Sequence, residues 1–322
     1  MKPDYGAKSS PKVSILIPTY NYAHYLDETI ASALSQTFTD FELLIVDNCS
    51  TDNTAGVVSK YLADPRVKFY KNERNIGIVG NFNRCLELAN GEYIKFLCAD
   101  DRFAPTILEK YVPVMDADPG ISLITCDKQA FGSKTHETIT PFTYKQPGHQ
   151  CVLSQLRNNY CWIGEPTSVM FRKKDLTVGK FSHEFSQYVD WEYWIRLLAI
   201  GDCYIVPEKL AFVRFHPGTQ SKEQKRKRFV VCFEEYKLCK DVQQGKYGIN
   251  TAGSEIDKAV QLTAANCIRR AMLKTIPELH KKECRTAFRK AFRIAVNENL
   301  FFTTFAELFK GLKRKTVRQL AN

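Results

Sequence analysis

Three acidic stretches of this 322-residue chain have the setting of working carboxylates. The first is Phe96-Leu97-Cys98-Ala99-Asp100-Asp101-Arg102, in which an apolar run climbs straight into two adjacent acids. A buried strand over Tyr93 to Leu97 would deliver both carboxylates to one place. Like charges so close cost stability unless a cation meets them. Mg²⁺ or Mn²⁺ suits such a spot, because these ions take oxygen ligands, usually one or two from protein and the rest from phosphate and water. An ion held there neutralises a diphosphate as it leaves, which is Lewis-acid assistance to a group transfer. The plain alternative is a solvated turn, with Asp101 capping a helix that starts near Pro105. The second stretch is Glu42 to Val46 ending in Asp47-Asn48. A carboxylate at a strand end accepts a hydrogen bond from a ring N–H, or caps the next helix. The third is Asp190-Trp191-Glu192. A carboxylate beside Trp191 sits in partly dry surroundings, which raises its basicity; it too has a capping alternative.

The elements that must carry these groups are legible as alternating periods. Val13 to Ile17 is a β-rich run ending at Pro18, where a strand is expected to stop. Residues 23–36 place Leu26, Ile30, Ala33 and Leu34 on one helical face. Glu42 to Val46 is the second strand. Ser50-Thr51-Asp52 offers an N-cap for a helix through Val57, Val58 and Tyr61. Val67 to Tyr70 is the third strand, residues 79–90 form a helix stopped by Asn90-Gly91, and Tyr93 to Leu97 is the fourth strand. Strands and helices alternating at this spacing imply a mostly parallel sheet with helices on both faces. Ligands of such sheets bind outside the carboxyl ends of the strands. Pro18, Thr19, Tyr20, Asn21, Asp47, Asp100 and Asp101 therefore share one rim. Past residue 120 the alternation weakens: Ile121 to Thr125 and Ser168 to Arg172 read as strands, and 190–200 as an amphipathic helix with Trp191, Trp194, Leu197 and Leu198 on its apolar face. Beyond 222 the pattern is helical, and Phe301, Phe305, Leu308 and Leu312 precede Lys313-Arg314-Lys315.

Composition bounds the class. The hydrophobic share of 44% and charged share of 25% are ordinary for a globular chain. No apolar run is long enough to span a bilayer, and the opening MKPDYGAKSSPK lacks the apolar core of a signal peptide; residues 1–11 read as a disordered tail and the chain as cytoplasmic. The 11 cysteines are scattered without a C-x-x-C pair, so they read as reduced thiols rather than zinc ligands or disulfides. The net charge of +11 is uneven. Residues 222–322 hold 23 Lys and Arg against 10 Asp and Glu, leaving 23 and 25 for the rest. The organisation expected is a catalytic domain over 12–221, divided near 120, and a basic helical region over 222–322.

The stretches VSILIPTYNYAHYLDETIASALSQTF (13–38), FELLIVDNCSTDNT (41–54), NERNIGIVGNFNRCLELANGEYIKFLCADD (72–101), WIGEPTSVMFR (162–172), DWEYWIRL (190–197) and VRFHPGTQS (213–221) resemble the family 2 glycosyltransferases. The resemblance covers about 12–221 and implies the GT-A fold: a Rossmann-like α/β arrangement with a mostly parallel sheet, here with a C-terminal helical extension. It implies sugar transfer, with inversion, from a nucleotide-diphosphate donor, UDP- or dTDP-linked, to a hydroxyl of a glycan or lipid-linked acceptor. By that resemblance Pro18, Thr19, Tyr20, Asn21, Asn75 and Gly77 cradle the nucleotide, with Pro18 and Tyr20 flanking the base and Asp47 accepting from a uracil or thymine N–H. Asp100 falls on the metal-touching position of the family's Asp-x-Asp motif, for Mn²⁺ or Mg²⁺, and His216 on a position that joins the metal or the diphosphate, with Arg214 beside it. Asp101 would assist at the ribose or behind the residues that touch the ligand. Asp190 matches the general base, with Glu192 the competitor, and Gly164, Glu165, Pro166 and Trp191 lie on the acceptor side. Two departures stand out: Cys98 replaces the motif's first acid, and Asn48 replaces a second acid after Asp47.

Other classes fare worse. A dinucleotide dehydrogenase needs a glycine-rich turn after the first strand, and Ile17-Pro18-Thr19-Tyr20-Asn21-Tyr22 has none. The basic last third shows no nucleic-acid motif. Arg285, Arg289, Lys290 and Arg293 interleaved with Phe288, Phe292, Phe301, Phe305 and Phe309 across 285–318 fit an anionic membrane face. Packing onto the catalytic domain, or onto a second subunit in a homodimer, is the competing expectation. The missing acid at Cys98 leaves a catalytically inactive member, a sugar-nucleotide or glycan binding module, as the alternative function.

Overall fold

The computed structural model of the chain describes residues 10–216, 228–249 and 255–300. In chain order the elements are β1 (Val13–Thr19), α1 (Ala23–Leu34), β2 (Phe41–Asp47), α2 (Thr54–Ser59), β3 (Val67–Lys71), α3 (Gly77–Leu88), β4 (Tyr93–Phe96), β5 (Arg102–Phe103), α4 (Ile107–Ala117), β6 (Ile121–Gly132), β7 (His136–Thr138), β8 (Tyr144–Gln146), α5 (Gly148–Asn158), β9 (Met170–Arg172), α6 (Val189–Leu198), β10 (Asp202–Phe215), α7 (Arg228–Gln243), α8 (Glu255–Thr275) and α9 (Lys282–Asn297). The chain divides into two compact units. One holds residues up to 151, 162–184 and 189–217; the other holds 152–161, 185–188 and everything from 218 on.

The first unit is built on one sheet in the order β3-β2-β1-β4-β9-β6-β10-β5, with β7 on β6 and β8 on β10. From β3 to β4 every pairing is parallel. β9 then runs antiparallel between β4 and β6, while β6 and β10 are parallel again. All of β2 and nearly all of β1 are buried, as a strand covered on both faces requires. Because β2 and β4 flank β1 on opposite sides, the connections diverge at β1 and open a crevice beyond its carboxyl end. β1 does not stop at Pro18 but runs on to Thr19, with Pro18 opposite Val46. Leu16 accepts from Leu97 on the β4 side and Thr19 accepts from Asn48 on the β2 side, so Pro18 faces β4, whose ladder has already ended opposite Leu16. The missing proline N–H is not called on there. The helix after β2 also differs from expectation: its N-cap is Asn53, without a side-chain bond, and Asp52 instead accepts from Ala23 N, at the start of α1, and from Thr54.

The later half of the sheet was only partly expected; β5, β7, β8 and the 14-residue β10 are additions. Two buried cations stitch it. Arg172, 5% exposed, donates to the carbonyls of Ile121, Met115 and Asp118 and to the Tyr93 hydroxyl, tying β9 to β6 and to the end of α4. Lys95, fully buried on β4, donates to the carbonyls of Thr167, Val169 and Phe96 and lies 4.4 Å from the Phe103 ring centroid. Burial pushes its ammonium down to about 7, since no carboxylate is paired with it.

The second unit is helical: α7, α8 and α9 bury Cys232, Ile268, Ala271, Met272, Ala291 and Ala295 against one another. The buried residues of α9, Cys284, Ala287, Ala291 and Ala295, form a narrow small-residue stripe. None of the described helices is long and apolar enough to cross a membrane.

Replacing Arg172 by Leu removes the donor to the buried carbonyls of Ile121 and Met115, to the half-buried one of Asp118 and to the Tyr93 hydroxyl. We expect a loss of about 3 kcal/mol or more, read as a lower urea midpoint at unchanged m-value.

Candidate active site

Beyond β1 and β2 two loops are zipped together. Asn21, at φ 57°, presents its Oδ1 to the Thr51 N–H at 2.8 Å, and its own N–H reaches Ser50 Oγ at 2.8 Å. Ser50 in turn donates through both N–H and Oγ to Asp47 Oδ1. Asp47 thus fixes a local turn with one oxygen and does not cap the following helix, whose N-cap is Asn53. Its other oxygen, Oδ2, is buried with no protein partner, and so is the hydroxyl of Thr19, the residue opposite it in the ladder. Asn48 explains why an amide suits the place of an acid: its Nδ2 donates to Asn75 Oδ1 at 2.9 Å and its Oδ1 accepts from Ile76 N at 2.9 Å. A carboxylate cannot make the first of these bonds. Asn75 also accepts from Gly77 N, and Gly77, at φ 76°, begins α3. Pro18 is half-buried at this rim, whereas Tyr20 is 42% exposed.

The strand-end acids part company. Leu97 N–H still bonds Leu16, and Asp101 N–H then closes a turn onto the Cys98 carbonyl, so Ala99 and Asp100 form its apex. Asp101 is buried and spent on protein: its Oδ2 accepts from Thr167 Oγ1 at 2.5 Å and its Oδ1 from Arg214 N at 2.8 Å. Each oxygen of Asp101 thus already holds one protein donor. Asp100 points elsewhere, its Oδ2 lying 3.1 Å from His216 Nε2. Tyr25 and Tyr22 wall the imidazole, at centroid distances of 4.8 and 5.7 Å. Burial pushes the Asp100 carboxyl up, against the opposing pull of His216. Arg214 is also less available to a phosphate than expected: its guanidinium bonds the Asp100 carbonyl and Glu28, and lies over Tyr25 and Phe131. Burial, then Asp101 and Asp100, push the Cys98 thiol up, so it stays protonated.

The 162–165 loop, expected on the acceptor side, is held from behind. Lys128 Nζ donates to the carbonyls of Trp162 and Ile163 at 3.0 Å, and Trp194 Nε1 donates to that of Gly164 at 3.0 Å. Gly164 has φ 95°, and a Cβ there would lie 2.4 Å from Lys128 Nζ, so glycine is required. Pro166 opens the buried turn Pro166–Ser168, while Glu165 is exposed before it. Burial is the main cause that pushes up the carboxyls of Asp190 and Asp101 and the thiol of Cys98, and Glu165 adds a smaller push to all three.

Asp190 lies inside the first turn of α6, one residue past Val189, and is not its cap. It accepts the adjacent Trp191 N–H, at 2.7 Å, and burial pushes its carboxyl up to about 7. Trp191 is buried behind it. Glu192, the competitor, is committed: it is 2% exposed and paired with Arg196 at 2.8 Å, which also bonds the carbonyls of Val178 and Lys180. The i, i+4 spacing of Glu192 and Arg196 was a sequence signal of that pairing.

This architecture, with carboxylates at the carboxyl ends of β2 and β4 and another at the start of a later helix, is that of a GT-A sugar transferase. The profile of Glycosyl transferase family 2 matches residues 14–177, and the chain belongs to that family. The chain is 31% identical over 186 residues to an Escherichia coli enzyme, the UDP-Glc:alpha-D-GlcNAc-diphosphoundecaprenol beta-1,3-glucosyltransferase WfgD, covering 58% of this chain and 69% of that one. Among solved structures it superposes on Staphylococcus aureus TarS 1–349 in complex with UDP-GlcNAc, with a TM-score of 0.65 and 17% identity over 87% of this chain and 79% of that one. It also superposes on the mannosyltransferase PcManGT of Pyrobaculum calidifontis in complex with GDP-Man and Mn²⁺, at 0.57 and 16% over 92% and 84%. At these identities the two structures speak for the fold.

The two neighbouring acids should separate by stability. Asp101→Ala strands the Thr167 hydroxyl and the Arg214 N–H and should cost about 1–3 kcal/mol. Asp100→Ala should change the urea midpoint little, or raise it at neutral pH. A carboxyl whose pKa is raised by folding weakens the fold as pH climbs past its unfolded value, and removing it removes that penalty.

Proposed function

We propose that this enzyme transfers a sugar from a uridine diphosphate sugar to a hydroxyl of a lipid-linked or cell-envelope glycan, with inversion, Asp190 acting as general base. The observation that carries this reading is Asp190: a carboxylate pushed up to about 7 by burial, bonded among the described residues to local main-chain N–H groups and to no side chain, in the field of the same Glu165 that bears on the metal-side turn. A general base works best with a pKa near the working pH, and an unpaired oxygen is what an acceptor hydroxyl needs. A single displacement with one base inverts the anomeric carbon. The buried Asp47 Oδ2 and Thr19 Oγ1 supply an acceptor, and a group able to donate or accept, at the place where a uracil ring N–H and carbonyl would sit. TarS in complex with UDP-GlcNAc and the UDP-Glc donor of the E. coli relative support the uridine preference.

The donor set also fits a divalent ion. Asp100 offers a hard oxygen and His216 an imidazole nitrogen, a mixture better suited to Mn²⁺ than to Mg²⁺, with the remaining positions left to phosphate and water. Bound there, the ion would offset the charge developing on the departing diphosphate. Around it, Asp101 and Thr167 hold the turn, Tyr22 and Tyr25 shelter His216, and Arg214 fixes the Asp100 backbone.

The acceptor named for the E. coli relative is lipid-linked, and a specific surface supports work at the inner face of a membrane. On α9, Arg289, Arg293 and Phe292 are exposed, the last at 42%. Phe288 instead packs inward, Lys290 lies over the Phe233 ring, and Arg285 bonds the carbonyls of Leu279 and His280, so the face is narrower than the sequence pattern implied. Phe301, Phe305, Leu308, Phe309, Leu312 and Lys313-Arg314-Lys315 lie outside the described residues.

Asp190→Asn keeps the shape and removes the proton acceptor. Donor binding should survive while turnover falls by about 10²–10⁴-fold. In the unaltered enzyme the base must be ionised, so turnover should rise with pH through about 7 and level off above it. Product of retained anomeric configuration refutes the mechanism. For the membrane face, full-length protein should co-sediment with phosphatidylserine-containing vesicles at low salt and release at high salt. Arg289→Glu with Arg293→Glu should weaken that binding, each cation contributing about 1 kcal/mol at an anionic surface.

A further inference from the structure

The basic last third of the chain contains two adjacent acids, Glu234 and Glu235, on α7, only 9% and 4% exposed. Buried carboxylates are costly unless hydrogen-bonded. Glu234 is satisfied by three consecutive residues: Oε1 accepts from Ser186 N at 2.8 Å and Ser186 Oγ at 2.6 Å, and Oε2 from Gln187 N at 2.8 Å and Tyr188 N at 3.2 Å. Successive backbone N–H groups converging on one anion form a tight, directional cradle. Glu235 grips the same segment by its side chain, accepting from the Tyr188 hydroxyl. It is itself fixed by Arg270 at 2.7 Å and Asn159 at 3.3 Å. Phe185 is buried next to these contacts, beneath Lys237 at 5.2 Å. Residues 185–188 thereby belong to the helical unit although they are flanked on both sides by the sheet-bearing one. The next residues are Val189, which opens α6, and Asp190.

We infer that Glu234 and Glu235 are positioning residues for sugar transfer: they clamp the Phe185–Tyr188 segment and so set where α6 starts and where its Asp190 carboxylate stands. The inference rests on reading Asp190 as the base. Only Val189 separates the clamp from that carboxylate, and one peptide unit transmits a displacement with little attenuation. A misplacement of about 1 Å at a reacting group costs on the order of 100-fold in rate. The helical region therefore has a duty in catalysis that its basic surface does not suggest. Ser186, Gln187 and Tyr188 each contribute a main-chain N–H, so the clamp does not depend on their side-chain types alone.

The test uses the full-length chain with Glu234→Ala and Glu234→Gln, the latter keeping the volume and one accepting oxygen. Three quantities are read: hydrogen exchange of the 186–188 amides, affinity for UDP with Mn²⁺ by calorimetry, and steady-state turnover. Turnover is measured with whichever of UDP-glucose, UDP-galactose and UDP-N-acetylglucosamine is consumed fastest. We expect the 186–188 amides to lose protection, UDP affinity to stay within about twofold, and kcat to fall roughly 10- to 100-fold with little change in donor KM. A purely structural role would instead lower the melting temperature and active fraction without this split. Faster exchange at 186–188 with normal kcat overturns the inference, as does unchanged exchange in both variants. If Glu234→Ala does not fold, Glu234→Gln decides on the same readouts. Asp190→Asn run alongside separates the two readings. Normal turnover there removes the base assignment itself. An inactive Asp190→Asn beside fully active Glu234 variants removes only the clamp.

Discussion

The buried carboxylate of Asp101 is the point on which the candidate site depends. It receives the Thr167 hydroxyl from the turn before β9 and the Arg214 N–H from β10, while its own N–H closes the turn after β4. Three stretches far apart in sequence are thereby brought to one spot. Thr167 is secured in turn by Lys95, whose ammonium has no carboxylate partner and is held by main-chain carbonyls. Burying an ammonium and a carboxylate that are not paired with each other is unfavourable on its own account. Its persistence here has a structural result: Asp100, freed from structural work, stands at the turn's apex beside His216.

A second theme is the concentration of negative charge. Burial pushes the carboxyls of Asp100, Asp101 and Asp190 up, and nearby charge adds to it: Asp100 and Glu165 at Asp101, Glu165 at Asp190. A site so arranged has a strong field for cations and holds protons more tightly than free carboxylates do. Arg214, the nearest guanidinium, is turned to the backbone and to Glu28. On the proposed reading, the charge of a bound diphosphate would be balanced by the ion that Asp100 and His216 would hold. That is consistent with Cys98, a neutral thiol, in a position where a further acid would add repulsion without adding a usable ligand.

Much of this was legible in the sequence, and the illegible parts have identifiable causes. The strands from Val13 to Phe96 read cleanly because β1, β2 and β4 are covered on both faces and so stand out as apolar runs between helical stretches. β10 does not: Asp202 to Phe215 includes Pro207, Glu208 and Lys209, and its pairing with β6 slips register around them, which breaks the alternation. Asp100 and Asp101 are indistinguishable as letters; a hydroxyl 66 positions away decides which is structural. Glu192 could have been separated from Asp190 by its i, i+4 partner Arg196. The acids at 234 and 235 had a faint signal, two carboxylates in a region of excess Lys and Arg, but their partners at 186–188 are set by tertiary contact alone.

The boundary between the two units is crossed at 151, 161, 184, 188 and 217. A chain threaded this way is poor material for recombination. A crossover near 217, where a simple reading would place a seam, would import α7 to α9 from a relative while leaving their counterparts at 152–161 and 185–188 behind. Glu234 would then meet a foreign segment. Exchange of acceptor specificity within such a lineage should instead proceed by substitution in surface loops, and the helical region should travel through evolution together with the sheet it follows.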